Sequence, residues 1–191
     1  MKKKKTAAIM LTAAIGMGAF SLQAAAPMDV EVVSAKTVSA APSASKLASA
    51  IKKAYGDNYW PDYKLDKDEI KSRYGVDASL YASAYAEVPM ISVHVDELVV
   101  FKAKNSSSKK KILSAVKKYQ KDLKENTLQY PMNLLKIQGS KVYANGNYVC
   151  FFMLGGSVDK DIEESGSDEE MIKAYRQLNN IAVNVVKKKL K

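Results

Sequence analysis

Apolar residues along this chain recur with two different periods, and the changes between them divide it into elements. Leu47, Ile51 and Ala54 lie four and three residues apart in SASKLASAIKKAYG. That spacing predicts a helix with one face on a core, and Gly56 supplies its stop. The aromatic loop GDNYWPDYKLD follows, with the lone Trp60. Asp66-x-x-Glu69 then has the spacing of a reciprocal N-terminal cap, predicting a short helix that ends near Gly75. A helical turn is expected from Asp77 towards Ala82.

Residues 85–95 and 98–103 are rich in β-prone side chains, with Asp96 and Glu97 between them. Adjacent carboxylates suit a bend better than a strand centre, so the segment predicts a hairpin with His94 near its tip. Serines 106–108 introduce a long amphipathic helix, about 108–125, whose inner face is Ile112, Val116, Tyr119 and Leu123. Lys110, Lys117, Lys118, Lys121 and Lys124 spread over its other sides as a solvated face, with a polyanion-binding patch as the alternative.

LLKIQGSKVYANGNYVCFFMLGG reads as a second hairpin, with Asn145-Gly146 between two strand-like runs because both turn positions need positive φ. Residues 148–154 are apolar at every position. This calls for cover on both faces, or for helices on one and the N-terminal segment on the other. Ser167-x-x-Glu170 caps a final helix striped by Met171, Tyr175, Leu178, Ala182, Val185 and Val186, and lysines 187–189 and 191 end it, complementing the helix dipole. The order helix, short helices, ββ, helix, ββ, helix predicts an α+β fold in one domain, residues 44–191. Its two layers are an antiparallel sheet of two hairpins and helices packed mainly on one face.

Composition changes this picture first at the N-terminus. Lysines 2–5 precede an uncharged, mostly apolar run over residues 7–20 and a small-residue patch, the layout of a secretory signal peptide. The run is shorter than the roughly 20 residues a membrane-spanning helix needs. A signal peptide over 1–26 is expected, cut after Ala26 or, because Pro27 disfavours that bond, after Ala24. No cysteine lies at that border to carry a lipid. Residues 27–43, rich in Ala, Ser and Val, read as a flexible tether. The formal charge of +10 includes lysines 2–5, so removal of residues 1–26 leaves +6. Such an excess favours anionic cell-wall polymer, a membrane surface or an envelope protein as partner, and for an exported chain without a recognisable binding motif nucleic acid is not expected. The single cysteine, Cys150, forms no internal disulfide and reads as a buried, inert thiol.

Candidate chemistry is sparse. His94 is the only histidine, with Asp96 and Glu97 beside it as acid or base candidates. No G-x-S-x-G elbow supports a triad, and adjacent strand residues point to opposite faces, which separates the two carboxylates. Tyr59, Trp60 and Tyr63 form either a stacking surface for a sugar or peptide or a packing plug over the sheet. Asp159, Asp161 and Glu163 suggest a metal, yet Glu164 stands where a calcium loop beginning at Asp159 requires glycine. No glycine-rich phosphate loop or CxxC pair is present, and no cofactor is expected.

AYGDNYWPDYKLD, YAEVPMISVHVDELVVFKAK, LQYPMNLLKIQGSKV and GNYVCFFMLGG together resemble the domain of unknown function 4358 family. The resemblance runs from about Ala48 to Leu154 and extends more loosely into the last helix. It implies a small exported α+β domain, found mostly in exported or lipid-anchored proteins of Gram-positive bacteria, and it implies no activity. The expectation is therefore an exported, non-enzymatic binding or envelope-associated domain. The alternatives are an extracytoplasmic hydrolase acting on envelope material and an accessory subunit of an envelope complex.

Overall fold

The Ser43 hydroxyl accepts the amide of Lys46 and starts α1 (Ala44–Tyr55). The computed structural model describes residues 41–191 apart from 92 and 127. The expected signal peptide and most of the expected tether lie outside the described residues. The tether's last three positions are bonded to the domain: Ala41 and Pro42 carbonyls accept from Lys102 Nζ and the Tyr148 hydroxyl, and Ser43 is the cap just named. On α1 the buried stripe is Ala44, Leu47, Ala48, Ile51 and Tyr55, while Ala54 is exposed. The helix thus turns Tyr55, not Ala54, inward, and the Tyr55 hydroxyl donates to the Leu178 carbonyl at 2.8 Å.

A 3-10 turn, a two-residue strand β1 (Tyr63–Lys64) and α2 (Lys67–Tyr74) follow. The Asp66/Glu69 capping box forms in full, and Gly75 ends the helix. Asp77 caps a second 3-10 turn that leads into β2 (Tyr81–Val88). β3 is Glu97–Ala103, α3 is Ser106–Asn126 and α4 is Pro131–Gly139. The chain closes with β4 (Lys141–Asn145), β5 (Tyr148–Met153), α5 (Lys160–Ser165) and α6 (Asp168–Lys189), the last starting at a complete Ser167/Glu170 capping box.

The α+β class holds: among the described residues five strands run in the order β1-β2-β3-β5-β4, and every neighbouring pair is antiparallel. The layering differs from the expectation of two layers with helices mainly on one face, because helices cover both. Val99, Phe101, Val149, Phe151 and Met153 pack against Ile70 and Tyr74 of α2, Ile112 and Val116 of α3 and Ile137 of α4. Leu98, Val100, Cys150, Phe152 and Leu154 pack on the opposite side against Leu47 and Ile51 of α1 and Ala182, Val183 and Val186 of α6. The reason lies in β5, whose six residues are all buried. A strand with apolar side chains on both sides of its pleat needs a helical layer on each. Burial pushes the Cys150 thiol up, consistent with an inert core position.

Three local expectations change. LLKIQG lies in α4 rather than in a strand: Pro131 stands in the first helical turn, where its fixed φ and missing N–H do no harm. A short apolar run without alternation fits either element by pattern alone. The β4–β5 hairpin turns one residue later than expected, with Asn145 paired to Tyr148 and Gly146, at φ +51°, leading the two-residue connection. β2 ends at Val88, so residues 89–96 are a long connection and Glu97 opens β3 opposite Met153.

One buried amide ties the layers together. Asn179 on α6 accepts the Leu154 amide at 2.9 Å and donates to the carbonyls of Gly139 and Tyr175 at 3.1 and 3.0 Å. It joins the end of β5 to the end of α4, and all its polar capacity but one acceptor lone pair is used.

Candidate functional site

The end of the sheet where β2 hands over to β3 collects three buried carboxylates, each held by a different set of partners. Glu87 faces α1 and accepts from Lys52 Nζ at 2.8 Å and from the Tyr59 hydroxyl at 2.5 Å. Burial and Glu87 push the Tyr59 hydroxyl up, so it stays a donor. Glu97, 0% exposed, faces the opposite helical layer. It accepts from the Tyr74 hydroxyl, from the Tyr119 hydroxyl at 2.9 Å and from Arg73 Nη2 at 3.0 Å. Burial, reinforced by the charge of Glu97, pushes both tyrosine hydroxyls up. Oε1 takes the Tyr74 bond, and Oε2 takes those of Tyr119 and Arg73.

Asp96, 1% exposed, sits just before β3 and pairs with Lys136 of α4 at 2.5 Å. Its other oxygen accepts the Gly156 amide at 3.1 Å, and Lys136 also donates to the Gly156 carbonyl at 2.7 Å. Burial pushes the Asp96 carboxyl up and the Lys136 ammonium down, and the pairing only partly offsets each. The Lys136 ammonium also lies 5.3 Å from the Trp60 ring centroid and 5.5 Å from that of Tyr175. Trp60 lies directly on Gly156, where a Cβ would come within 2.7 Å of the indole. Only a glycine lets that backbone, at φ +44°, pass beneath the ring.

The structure thus brings His94 and Asp96 together and sends Glu97 elsewhere. His94 belongs to the 89–96 connection, and its ring meets the Trp60 ring at 4.5 Å between centroids, tilted by 63°. A cavity of about 210 Å³ is lined by Arg73, Val88, Pro89, His94, Asp96 and Gln129, among others. Each Asp96 oxygen accepts one bond, Oδ2 from Lys136 and Oδ1 from the Gly156 amide.

Tyr59, Trp60 and Tyr63 do not form one stacking face. Tyr59 is turned to Glu87, Trp60 is wedged between His94, Gly156 and Lys136, and the Tyr63 hydroxyl donates to Glu69 at 2.7 Å. Asp159 is the N-cap of α5 and accepts the Asp161 amide at 3.0 Å, with Glu163 in the first turn. Among the described residues, no group of three or more His, Cys, Asp or Glu side chains is placed to hold a metal ion. No described helix is long and apolar enough to cross a membrane.

Sequence reasoning missed Glu87, Lys52, Arg73, Tyr74, Tyr119 and Lys136 as partners. Their one local signal was a charge inside an otherwise apolar run, as with Lys136 in NLLKIQG and Glu97 ahead of LVVF.

The surface at this corner is apolar. Eight large hydrophobic side chains are exposed among the described residues, and seven of them are Met90, Ile91, Val93, Leu128, Tyr130, Met132 and Leu134. They come from two segments, 90–93 and 128–134, which Asn133 joins by donating to the Val93 carbonyl at 3.0 Å. The lining of the cavity includes Pro89 and His94, which flank the first segment, and Gln129 of the second.

No curated protein and no solved structure matches the chain. The sequence model of the family described as Domain of unknown function (DUF4358) matches residues 54–154, more than half of the chain, including segments 89–96 and 128–134, and the protein belongs to that family.

Proposed function

We propose that this protein is an exported, non-enzymatic binding domain that docks onto an envelope protein through the corner formed by residues 89–95 and 128–134. The observation that carries this reading is the concentration of exposed apolar side chains there, with Met90 at 73% and Met132 at 71% exposure. A folded monomer rarely leaves such side chains contiguous unless they meet something. Methionines suit a contact surface because their side chains adapt to the partner. The cavity offers a socket for one partner side chain, with Arg73 and Gln129 as polar contacts at its wall.

The hydrolase reading has less support, since the Asp96 and Glu97 carboxyls turn to separate sets of partners, Lys136 and Gly156 for one and Tyr74, Tyr119 and Arg73 for the other. Along α3, Lys118 pairs with Asp122 and Lys121 with Glu125, which offsets part of the charge of that face. Export rests on the N-terminal sequence layout.

The test is a photo-crosslinking residue at Met132 in the protein expressed in its own cells. Crosslinking to a distinct protein band, lost in the Met90→Ser/Ile91→Ser double variant, is the expected result. Crosslinks to lipid alone, or none above those of a control position on the exposed face of α3, would overturn it.

A further inference from the structure

β2 is partnered unevenly along its two edges. On one side it pairs with β3 over most of its length, from Tyr81 opposite Ala103 to Glu87 opposite Leu98. On the other, β1 covers only Val88 and Glu87, extended by the Asp62 and Leu65 amides, which donate to the carbonyls of Val88 and Ala86 at 3.1 and 3.0 Å. β1 leaves the sheet at that point because Asp66 caps α2. In an antiparallel ladder every second residue turns its N–H and C=O to the same side, so the outward orientation of Val88 and Ala86 extends to Ala84. Among the described residues no strand pairs with Ala84 on that side, nor with Ala82, which the register shift between Tyr81 and Ser83 leaves out of the β3 ladder.

Beside this open edge runs a groove of about 790 Å³ whose lining includes Leu65, Ile70, Ala78 and Tyr81. Tyr81 is 8% exposed, and among the described residues its hydroxyl is the buried side-chain polar atom without a hydrogen-bond partner. Buried hydroxyls are almost always satisfied, so this one needs an account. The groove also carries Lys64 and Lys67 against Asp66 and Asp68, a balanced set that selects no sign of charge.

We propose that this edge is a strand-addition site for an extended segment of another protein. The incoming segment takes the path β1 would have followed had the chain not turned into α2, antiparallel to β2. It exchanges backbone hydrogen bonds with Ala84, places an apolar side chain against Leu65 and Ile70, and brings a carbonyl to the Tyr81 hydroxyl. Recognition is by backbone and one or two apolar side chains, the chemistry of β-augmentation. The site is separate from the 89–95/128–134 corner and does not depend on it.

The test selects displayed random decapeptides on the full chain and maps the best binder by amide hydrogen exchange. Enriched sequences with apolar residues at alternate positions, and slowed exchange at the Ala84 amide, are expected. N-methylation of the peptide at positions facing β2 weakens binding about tenfold each, while methylation at the intervening positions leaves it nearly unchanged. Ala84→Pro abolishes binding, and the N-methyl series decides the matter even if that variant unfolds. Met90→Ser/Ile91→Ser leaves peptide binding intact, which separates this site from the corner. The proposal is overturned if no peptide is enriched, if protection falls elsewhere, if all N-methyl positions behave alike, or if the free chain self-associates with Ala84 already protected.

Discussion

Residues 98–101 of β3 and 149–152 of β5 face one another across the centre of the sheet, and every side chain in both stretches is apolar and fully buried. One step along β3 from that block the relation between polarity and burial inverts. Asp96 and Glu97 are as deeply buried as Phe101, Lys136 is 4% exposed, and a few residues away Met90, Ile91, Leu128 and Met132 stand in solvent. The centre needs only the hydrophobic effect, where each fully buried large side chain contributes roughly 1.5–3 kcal/mol. The corner holds charge inside at a desolvation penalty and leaves apolar area outside unused. Sites that depart from the rule in both directions at once are where a fold gives up stability for something else.

The sharpest way to break the comparison is at the Asp96–Lys136 pair. Lys136→Met leaves a buried carboxylate without its cation and is expected to destabilise the protein by about 3–5 kcal/mol in urea titrations. Adding Asp96→Asn recovers most of that loss, because the amide oxygen still accepts the Gly156 N–H and no charge remains buried. The pH dependence follows from the direction of the Asp96 shift. Burial raises the folded carboxyl above its unfolded value, so in Lys136→Met the folded state holds the proton more tightly. Its deficit is therefore smallest near or below the unfolded value of about 4 and grows as pH rises through the folded one. A deficit constant with pH would show that Asp96 is not held as described.

Glu97→Gln probes the neighbouring carboxyl with a smaller change. The amide keeps the shape and one acceptor for Tyr74 and Tyr119, but it sets an N–H against a donor and removes the charge facing Arg73. A loss of about 1–3 kcal/mol is expected, the range for leaving a buried polar group mispaired. A loss within the range of an exposed substitution would mean the cage is not closed around Glu97.

Away from the corner, the helix caps titrate with the opposite sign. The Ser79 amide and Lys71 hold Asp77 well below the usual carboxylate range, and the Ser167 amide and hydroxyl hold Glu170 below it. A depressed folded value gives stability that is present above the unfolded value of about 4 and lost as pH falls through the folded one. The caps thus weaken in acid while the Lys136→Met deficit shrinks there. Ser167→Ala removes the acceptor of the Glu170 amide and is expected to cost about 1 kcal/mol. Thermal melts across acid and neutral pH, with and without this substitution, check both statements.

These contrasts also explain what could be read from the chain beforehand. Both capping boxes, the α3 stripe and the apolar density of β5 are local patterns, and all of them formed as expected. α4 was misread because NLLKIQG has neither clean alternation nor a full helical stripe, and only Pro131 marks it. The corner was illegible for a different reason. Lys136 lies 40 residues from Asp96, and Tyr74 lies 23 from Glu97, so no spacing rule connects them. Seen alone, Asp96-Glu97 resembles a bend, because the cost of burying two charges is visible and their partners are not. The same distance hid the apolar patch, whose two segments are joined by the bond from Asn133 of α4 to the Val93 carbonyl, 40 residues apart.

The smallest stability change belongs to the substitutions that test the comparison most directly. Met90→Ser, Ile91→Ser and Met132→Ser each replace an exposed side chain that contributes little to the packed core. Each is expected to move folding stability by no more than about 0.5 kcal/mol, the ordinary range for surface positions. If any of them instead costs as much as Glu97→Gln, the patch is part of the core and the corner is simply closed more tightly than its exposures indicate. If stability is unchanged while crosslinking through Met132 is lost, the apolar surface serves a partner. The inversion at this end of the sheet then has a functional reason: the buried charges fix the path of the 89–96 connection and α4, and those two segments hold the apolar side chains outward against solvent.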